Sequence, residues 1–313
     1  MKMKTSLVLS SYNGSRYIAE QLDSILLQTR PPDTVYIRDD CSTDGTSNIV
    51  EQYIHSHSLA NWSVAINAVN QGWKKNFHEL IASADGDLIF LCDQDDLWLP
   101  NKIEDMAAVM ESHDEIDVLA CSVEPFYETG SQKVSGEEGM KGTSSGNVRY
   151  QDVDSKSIYV LRPGCSYCIR NSFAKQIEPY WNDEWAHDAV LWILSEVKGT
   201  LALYDKTLVR FRRHEGNASA REKMTQQRRI EDLAHLIERI DTMEMFAKDY
   251  GYLTPEKSAA LEDMRSWLTA RIRFLNNADF SSFLETVAGR KHYPTSRGLP
   301  ADIALALFSK LAI

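Results

Sequence analysis

No stretch of this 313-residue chain approaches the ~18–20 consecutive apolar residues that a membrane span requires. The N-terminus opens directly on a strand pattern, so no signal peptide is expected and the expected location is cytoplasmic. Cysteine is scarce: five residues, at 41, 92, 121, 165 and 168. Cys165-Ser166-Tyr167-Cys168 has CxxC spacing but no second pair accompanies it, which excludes a zinc-type pair of pairs and points to reduced, structural thiols. Positive charge is also short, with 34 Lys+Arg against 45 Asp+Glu and a net charge of −11. General nucleic-acid binding is therefore not expected. The deficit is uneven: residues 221–313 carry 14 basic against 13 acidic side chains, leaving 20 against 32 in the first 220. From Met264 on the chain is basic, 7 against 3. No internal repeat is visible.

What is present is an ordinary soluble composition, 43% hydrophobic and 25% charged. The length allows one domain of about 200–220 residues plus something smaller. The first half alternates strand and helix patterns, which implies a mostly parallel sheet. Strands are expected at Thr5–Ser10, Thr34–Arg38, Ser63–Asn67, Leu88–Cys92 and Val118–Ser122. Helices are expected at about Arg16–Gln28, from Ser42-Thr43-Asp44 through Ile54, at Asn76–Ala84 and from near Asn101. Residues 128–157, rich in Gly, Ser, Glu and Lys, read as a long surface loop or lid. Order returns at Ile158–Arg162, followed by a strand at Tyr167–Arg170, a helix at Ala186–Val197 and two short strands, Leu201–Tyr204 and Leu208–Arg212. Beyond Arg221 the pattern is helical, at about 222–249, 255–276, 280–288 and 301–312. The domain boundary is placed at 220, with halves of about 1–122 and 123–220 before it and a helical region 221–313 after it.

The densest chemistry lies in Asp93-Gln94-Asp95-Asp96, three carboxylates directly after the apolar run Leu88–Cys92. Carboxylates this close repel one another, so a positive partner is expected. A hard cation such as Mg²⁺ or Mn²⁺, shared with substrate phosphates, meets that need. A solvated acidic turn before the helix at Asn101 is the plainer reading. Position favours the first, since ligands in open α/β sheets bind at the carboxyl ends of strands. Other polar groups are expected at the same edge. Ser10-Ser11-Tyr12-Asn13-Gly14 ends strand one, Asp39-Asp40 ends strand two, and Asn70-Gln71-Gly72 with Lys74, Lys75 and Asn76 follows strand three. A strand-end acid can accept hydrogen bonds from a base or ribose, and the lysines can supply charge to a diphosphate.

Together these motifs resemble those of the inverting family 2 glycosyltransferases of GT-A type. The resemblance covers roughly residues 4–215 and is nearest the bacterial rhamnosyltransferase-like branch, where the acidic motif runs into a Trp and Pro as in Leu97-Trp98-Leu99-Pro100. Cys41 stands where the family often has a small or glycine residue. The resemblance implies an α/β fold, a GT-A-type, Rossmann-like mixed sheet flanked by helices with a C-terminal helical extension. It implies donor contacts from Ser10, Tyr12, Asn13, Asp40, Asn70, Lys74, Asn76 and Asp93. It also implies an Mg²⁺ or Mn²⁺ ion on Asp95 with Asp93, and His214 of Arg212-Arg213-His214-Glu215-Gly216-Asn217 near the metal or diphosphate. Asp188 of His187-Asp188 would be the general base, with Asp183 or Glu184 as the next candidates.

On this reading the donor is a nucleotide-diphosphate sugar, best matched by dTDP-L-rhamnose, and the acceptor a glycan or lipid-linked glycan of bacterial surface polysaccharide. A UDP-hexose is the alternative donor. Trp181, Trp185 and Trp192 are candidates for an apolar wall against the sugar. A nucleotidyltransferase would need a glycine-rich basic loop after strand one, and Ser10–Arg16 is too poor in glycine. A non-catalytic sugar-binding scaffold would predict losses among Asp40, Asp95 and Asp188, all of which are present. The C-terminal helices, with Trp267, Leu268, Ile272, Phe274, Leu275, Ile303, Leu305, Leu307, Phe308 and Leu311, are expected to pack on the catalytic domain. Peripheral contact with anionic lipid at the inner membrane face is their second reading.

Overall fold

The computed structural model describes residues 2–128, 140–214 and 224–308. Glu215-Gly216-Asn217, Leu311, the Phe308 side chain and part of the expected surface loop lie outside the described residues. The chain divides into two compact units, one of Met1–Gln151, Leu161–Ser195 and Thr200–Ala218, the other of Asp152–Val160, Glu196–Gly199 and Ser219–Ile313.

The first unit begins β1(Thr5–Ser11), α1(Ile18–Leu26), β2(Thr34–Asp39), α2(Thr46–Ser56), β3(Trp62–Ile66), α3(Trp73–Ser83) and β4(Leu88–Asp93). It continues β5(Leu97–Trp98), α4(Lys102–Ser112), β6(Val118–Tyr127), β7(Val148–Gln151), β8(Tyr167–Arg170), α5(Asn171–Ile177), α6(His187–Lys198) and β9(Leu201–Arg213). The last residues of α6 belong to the second unit. The sheet runs β3-β2-β1-β4-β8-β6-β9-β5, with β7 added on β9. Strands β1 to β4 are parallel, and β8 is antiparallel to both β4 and β6. β1 and β4 are buried nearly end to end, as strands covered on both faces must be. α1 buries Ile18, Gln21, Leu22 and Ile25, one face of a helix.

Register fixes the site. Ser11 pairs with Asp39 and Ser10 with Asp93, so the polar ends of β1, β2 and β4 emerge together. The chain leaves β1 for β2 on one side while β4 lies on the other, which makes a topological switch point at that edge.

The second unit contains α7(Gln226–Asp249), α8(Pro255–Asn277), α9(Phe280–Ala288) and α10(Gly298–Phe308). Thr225, Thr254 and Asp279 cap α7, α8 and α9 by accepting a hydrogen bond from the third helical amide. At its centre the Arg271 Nε meets the fully buried Asp302 carboxylate at 2.7 Å, and Tyr293 donates to the same group at 2.7 Å. The guanidinium of Arg271 lies 4.4 Å from the Trp267 ring centroid. No described helix is long and apolar enough to cross a membrane.

Several elements differ from those expected. The two short strands after α6 are one bulged strand, β9, because its register to β6 shifts around Cys121–Val123. Asp205 accepts hydrogen bonds from the backbone of Thr143 and the hydroxyls of Thr143 and Ser145. Ile158–Arg162 forms no regular element, although Ile158 is buried. β5, α5 and β7 were not expected; β7 falls within residues 128–157, read as a surface loop, and forms because it pairs antiparallel with the start of β9. β5 is two residues long and exists through its pairing with β9.

Candidate active site

Three loops at the carboxyl edge are bound into one body. The loop after β1 is tied to the loop after β2: Asn13 N–H donates to Ser42 Oγ, Gly14 N–H to Thr46 Oγ1 and Ser15 N–H to Asp44 Oδ2, all at 2.8–2.9 Å. Asn13 Oδ1 accepts from Thr43 N–H at 2.9 Å. Asn13 takes φ +46°, a left-handed conformation that asparagine tolerates. Burial acts upward on the Asp44 carboxyl, but hydrogen bonds from Thr46 and Ser15 outweigh it and bring it down to about 2. Cys41 takes φ +63°, which is why glycine suits this position. The Gln94 amide pairs with both backbone groups of Tyr12, at 2.8 and 2.9 Å, joining the β1 loop to the acidic loop.

Asp39 and Asp40 are both buried and heavily committed. Asp39 accepts from Ser11 Oγ, Ser42 N–H and Ser42 Oγ. Asp40 accepts from Asn67 Nδ2, Gln71 N–H and Gly72 N–H, each at 2.8 Å, and so shapes the turn that Asn70 enters. Of the roughly four lone-pair positions on a carboxylate, these bonds leave Asp40 about one. Asn76, expected to touch the donor, is instead fully buried. Its amide donates to Ser10 Oγ (2.7 Å) and Arg38 O (3.0 Å) and accepts from Asn67 (3.0 Å). It is a strut linking β1, β2 and the turn after β3, and it holds the Ser10 hydroxyl. Tyr12, 45% exposed, and Asn70 remain on the surface. Lys74 Nζ donates to the Glu184 carbonyl.

The acidic loop gathers the rest. Asp95 Oδ2 lies 2.7 Å from His214 Nε2. Burial and the charges of Asp96, Asp95 and Asp188 hold the Asp93 carboxyl well above the usual carboxylate range. Asp188, in the first turn of α6, is therefore electrostatically part of this cluster although 92 residues separate it from Asp96. Asp96 is buried; Oδ1 accepts from Arg212 N–H at 2.9 Å, while Oδ2 has no hydrogen-bond partner of good geometry among the described residues. Burial, then the Asp95 charge, pushes its carboxyl up to about 7. Asp183 is held by His78 Nδ1 at 2.7 Å.

The donor set suits a hard cation: crowded carboxylates, one of whose oxygens, Asp96 Oδ2, has no hydrogen-bond partner of good geometry among the described residues. Asp93, Asp96 and Cys165 bring ligand atoms within 4.8 Å of one another. Burial, followed by the Asp96 and Asp93 charges, pushes the Cys165 thiol up, which leaves it a poor ligand for Mg²⁺ or Mn²⁺. Below lies Lys102, fully buried, donating to Cys165 O at 2.6 Å and placed 3.2 Å from the Trp98 ring centroid. All five cysteines are free.

Trp185 and Trp192 are core residues, 4% and 0% exposed, and form no wall against a sugar. Trp181 is half-buried and stacks on His78, centroids 4.5 Å apart. Trp73, 37% exposed at the start of α3, was not singled out in the sequence. Gln94 and Arg212 stand within motifs read from the sequence but were given no role of their own, and Lys102 was not foreseen. Lys102 follows the acidic motif by six residues, but a lysine at a helix start reads as surface.

The sequence profile of glycosyl transferase family 2 matches residues 6–176, and the chain belongs to that family. It is 29% identical over 221 residues to the dTDP-rhamnosyl transferase RfbG of Shigella flexneri, covering 67% of this chain and 72% of that one. An uncharacterized Mycobacterium tuberculosis protein, Rv1520, is 28% identical over 215 residues, and the match spans 67% of this chain and 58% of the relative's length. The fold is that of Staphylococcus aureus TarS 1–349 in complex with UDP-GlcNAc, with TM-score 0.65, 19% identity, and coverage of 94% and 93% of the two chains. A mannosyltransferase from Pyrobaculum calidifontis in complex with GDP-Man and Mn²⁺ aligns with TM-score 0.51 and 14% identity over 99% and 88%.

Proposed function

We propose that the protein transfers a glycosyl group from a nucleotide-diphosphate sugar to an acceptor hydroxyl in one inverting displacement. What supports this reading is the crowding of Asp93, Asp95 and Asp96 at the end of β4, beside the switch point of the sheet, with the charge of Asp188 acting on Asp93. Asp188 accepts the acceptor's proton as it attacks. Single displacement needs one base and no enzyme nucleophile, unlike the paired carboxylates of a glycoside hydrolase. Asp95 and Asp93, with His214 beside them, would hold Mg²⁺ or Mn²⁺, which when bound stabilises charge on the departing diphosphate. The β1 and β2 loops, with Tyr12, Asn13, Asn70 and the remaining acceptor position of Asp40, bind the nucleotide.

The donor we favour is dTDP-L-rhamnose, supported by the relatedness to RfbG; the acceptor is a glycan or lipid-linked glycan of a bacterial surface polysaccharide. The methyl group of a 6-deoxy sugar calls for an apolar wall, for which our candidates are Trp73, edge-on to His187 next to Asp188, and the half-buried Trp181. UDP-hexose is the second reading, supported by the shared fold with a UDP-GlcNAc-binding structure. α9 contacts the inner membrane face.

A screen of nucleotide sugars for cation-dependent donor hydrolysis tests donor and metal together, without the acceptor. Preference for UDP-glucose over dTDP-rhamnose overturns the rhamnose reading alone. Asp188→Asn should lower kcat by about 10²–10⁴-fold with donor KM little changed. Near-normal turnover would remove Asp188 as the base.

A further inference from the structure

We infer that Arg212 is a positioning residue that presets the acidic loop for its ligand through the loop's backbone, an inference that rests on the functional reading above. Arg212 is the penultimate residue of β9 and is 7% exposed. It grips the acidic loop at two points. Its side-chain Nε donates to the Asp95 carbonyl at 2.7 Å, and its backbone N–H donates to Asp96 Oδ1 at 2.9 Å. The guanidinium is sandwiched between the rings of Tyr17 and Phe126, 4.9 and 4.8 Å from their centroids. Its charge is met elsewhere, by Glu20 on Nη2 and by Glu128 on Nη1 at 3.3 Å.

This division of labour has a physical consequence. A cation placed directly on Asp93 or Asp95 would order the loop but compete with an incoming metal. Arg212 instead holds the peptide oxygen of Asp95, so that carboxylate is left turned to His214. His214 is braced on the same scaffold: its ring lies 4.6 Å from that of Tyr17, whose hydroxyl donates to Glu128 at 2.9 Å. The assignment needs an arginine, because a planar fork of fixed donors between two rings reaches three partners in separate directions, and a lysine ammonium cannot.

The test uses the full chain with Arg212→Met and Arg212→Lys. Hydrogen exchange is followed at the amides of residues 94–98 in the protein alone, and calorimetry measures binding of dTDP and UDP with Mn²⁺. In both variants, exchange should quicken at 94–98 while β1 and β4 keep their protection. Affinity for the Mn²⁺–nucleotide pair should fall about 10-fold or more, the usual cost of losing a group behind a metal ligand. KM for the donor should rise with kcat at saturation within about 3-fold. Unchanged exchange at 94–98, rescue of binding by lysine, or protection lost evenly across the sheet would each overturn the inference. If the methionine variant does not fold, the lysine variant decides. If the unaltered protein binds neither nucleotide with Mn²⁺, the functional reading fails, and the bracing role stands or falls on exchange alone.

Discussion

His187 shows how much one buried side chain can encode. It is 4% exposed, and among the described residues neither ring nitrogen has a hydrogen-bond partner. Its ring packs on Phe77, centroids 3.9 Å apart, and edge-on to Trp73. Burial holds the imidazole neutral and lowers its pKa to about 3 from 6.5. The unfolded chain takes up this proton near pH 6.5, whereas the folded chain resists it until about 3. Stability is therefore complete above pH 6.5 and declines as pH falls toward 3, by on the order of 1.4 kcal/mol per unit. Urea unfolding at pH 7, 5.5 and 4.5 should show this slope in the unaltered protein and a shallower one in His187→Leu. Equal slopes would mean that the ring is solvated. The sequence offered His187 only as the neighbour of Asp188, since nothing local distinguishes a buried histidine from a loop one.

At the scale of elements, what was legible is what depends on local pattern. β1 to β4 and their helices announce themselves by periodicity, and β8 matches its expected bounds because Tyr167–Arg170 is a short run after Pro163-Gly164. What was not legible depends on distant partners. β6 extends to Tyr127 because β9 runs parallel beside it, and α5 follows β8 without a break, with Asn171 donating to Ala84 and Gly86 carbonyls. The strut role of Asn76 is equally non-local, since its three partners come from β1, β2 and the turn after β3. The start of α6 is seated in the same non-local way. A Cβ at Gly164 would stand 2.0 Å from His187 Nε2, and that ring, clamped by Phe77 and Trp73, has no room to retreat. Gly164→Ala should therefore shift the first turn of α6 and with it Asp188. We expect kcat to fall at least 10-fold, as for a small misplacement of a reacting group, with the far-ultraviolet dichroism unchanged. Combining Gly164→Ala with His187→Ala should restore part of the lost stability, a coupling that two independent defects would not show.

For the whole molecule, the charge census of the sequence and the structure lead to different physics for the C-terminal unit. The basic excess after Met264 suggests attraction to anionic lipid. Among the described residues, however, Arg265 pairs with Asp241, Glu244 and Glu262, Arg271 with Asp302, Arg273 with Glu285 and Lys291 with Asp263. Arg290 and Arg297 are exposed with no acidic partner among the described residues. Two charges without an acidic partner among the described residues, on a chain of net −11, give little attraction to a negative surface. The apolar side of the unit is different. Phe280 is 73% and Leu284 50% exposed, one turn apart on the same face of α9. The proposed membrane contact must therefore be driven by apolar insertion. Co-sedimentation with vesicles should be nearly the same for neutral and anionic lipid and should change little between about 50 and 500 mM salt, where screening removes long-range attraction. Phe280→Ser with Leu284→Ser should abolish it, while Arg290→Gln with Arg297→Gln should leave it intact. Steep salt dependence, or loss of binding in the arginine pair alone, would instead make the contact electrostatic and assign it to the basic tail.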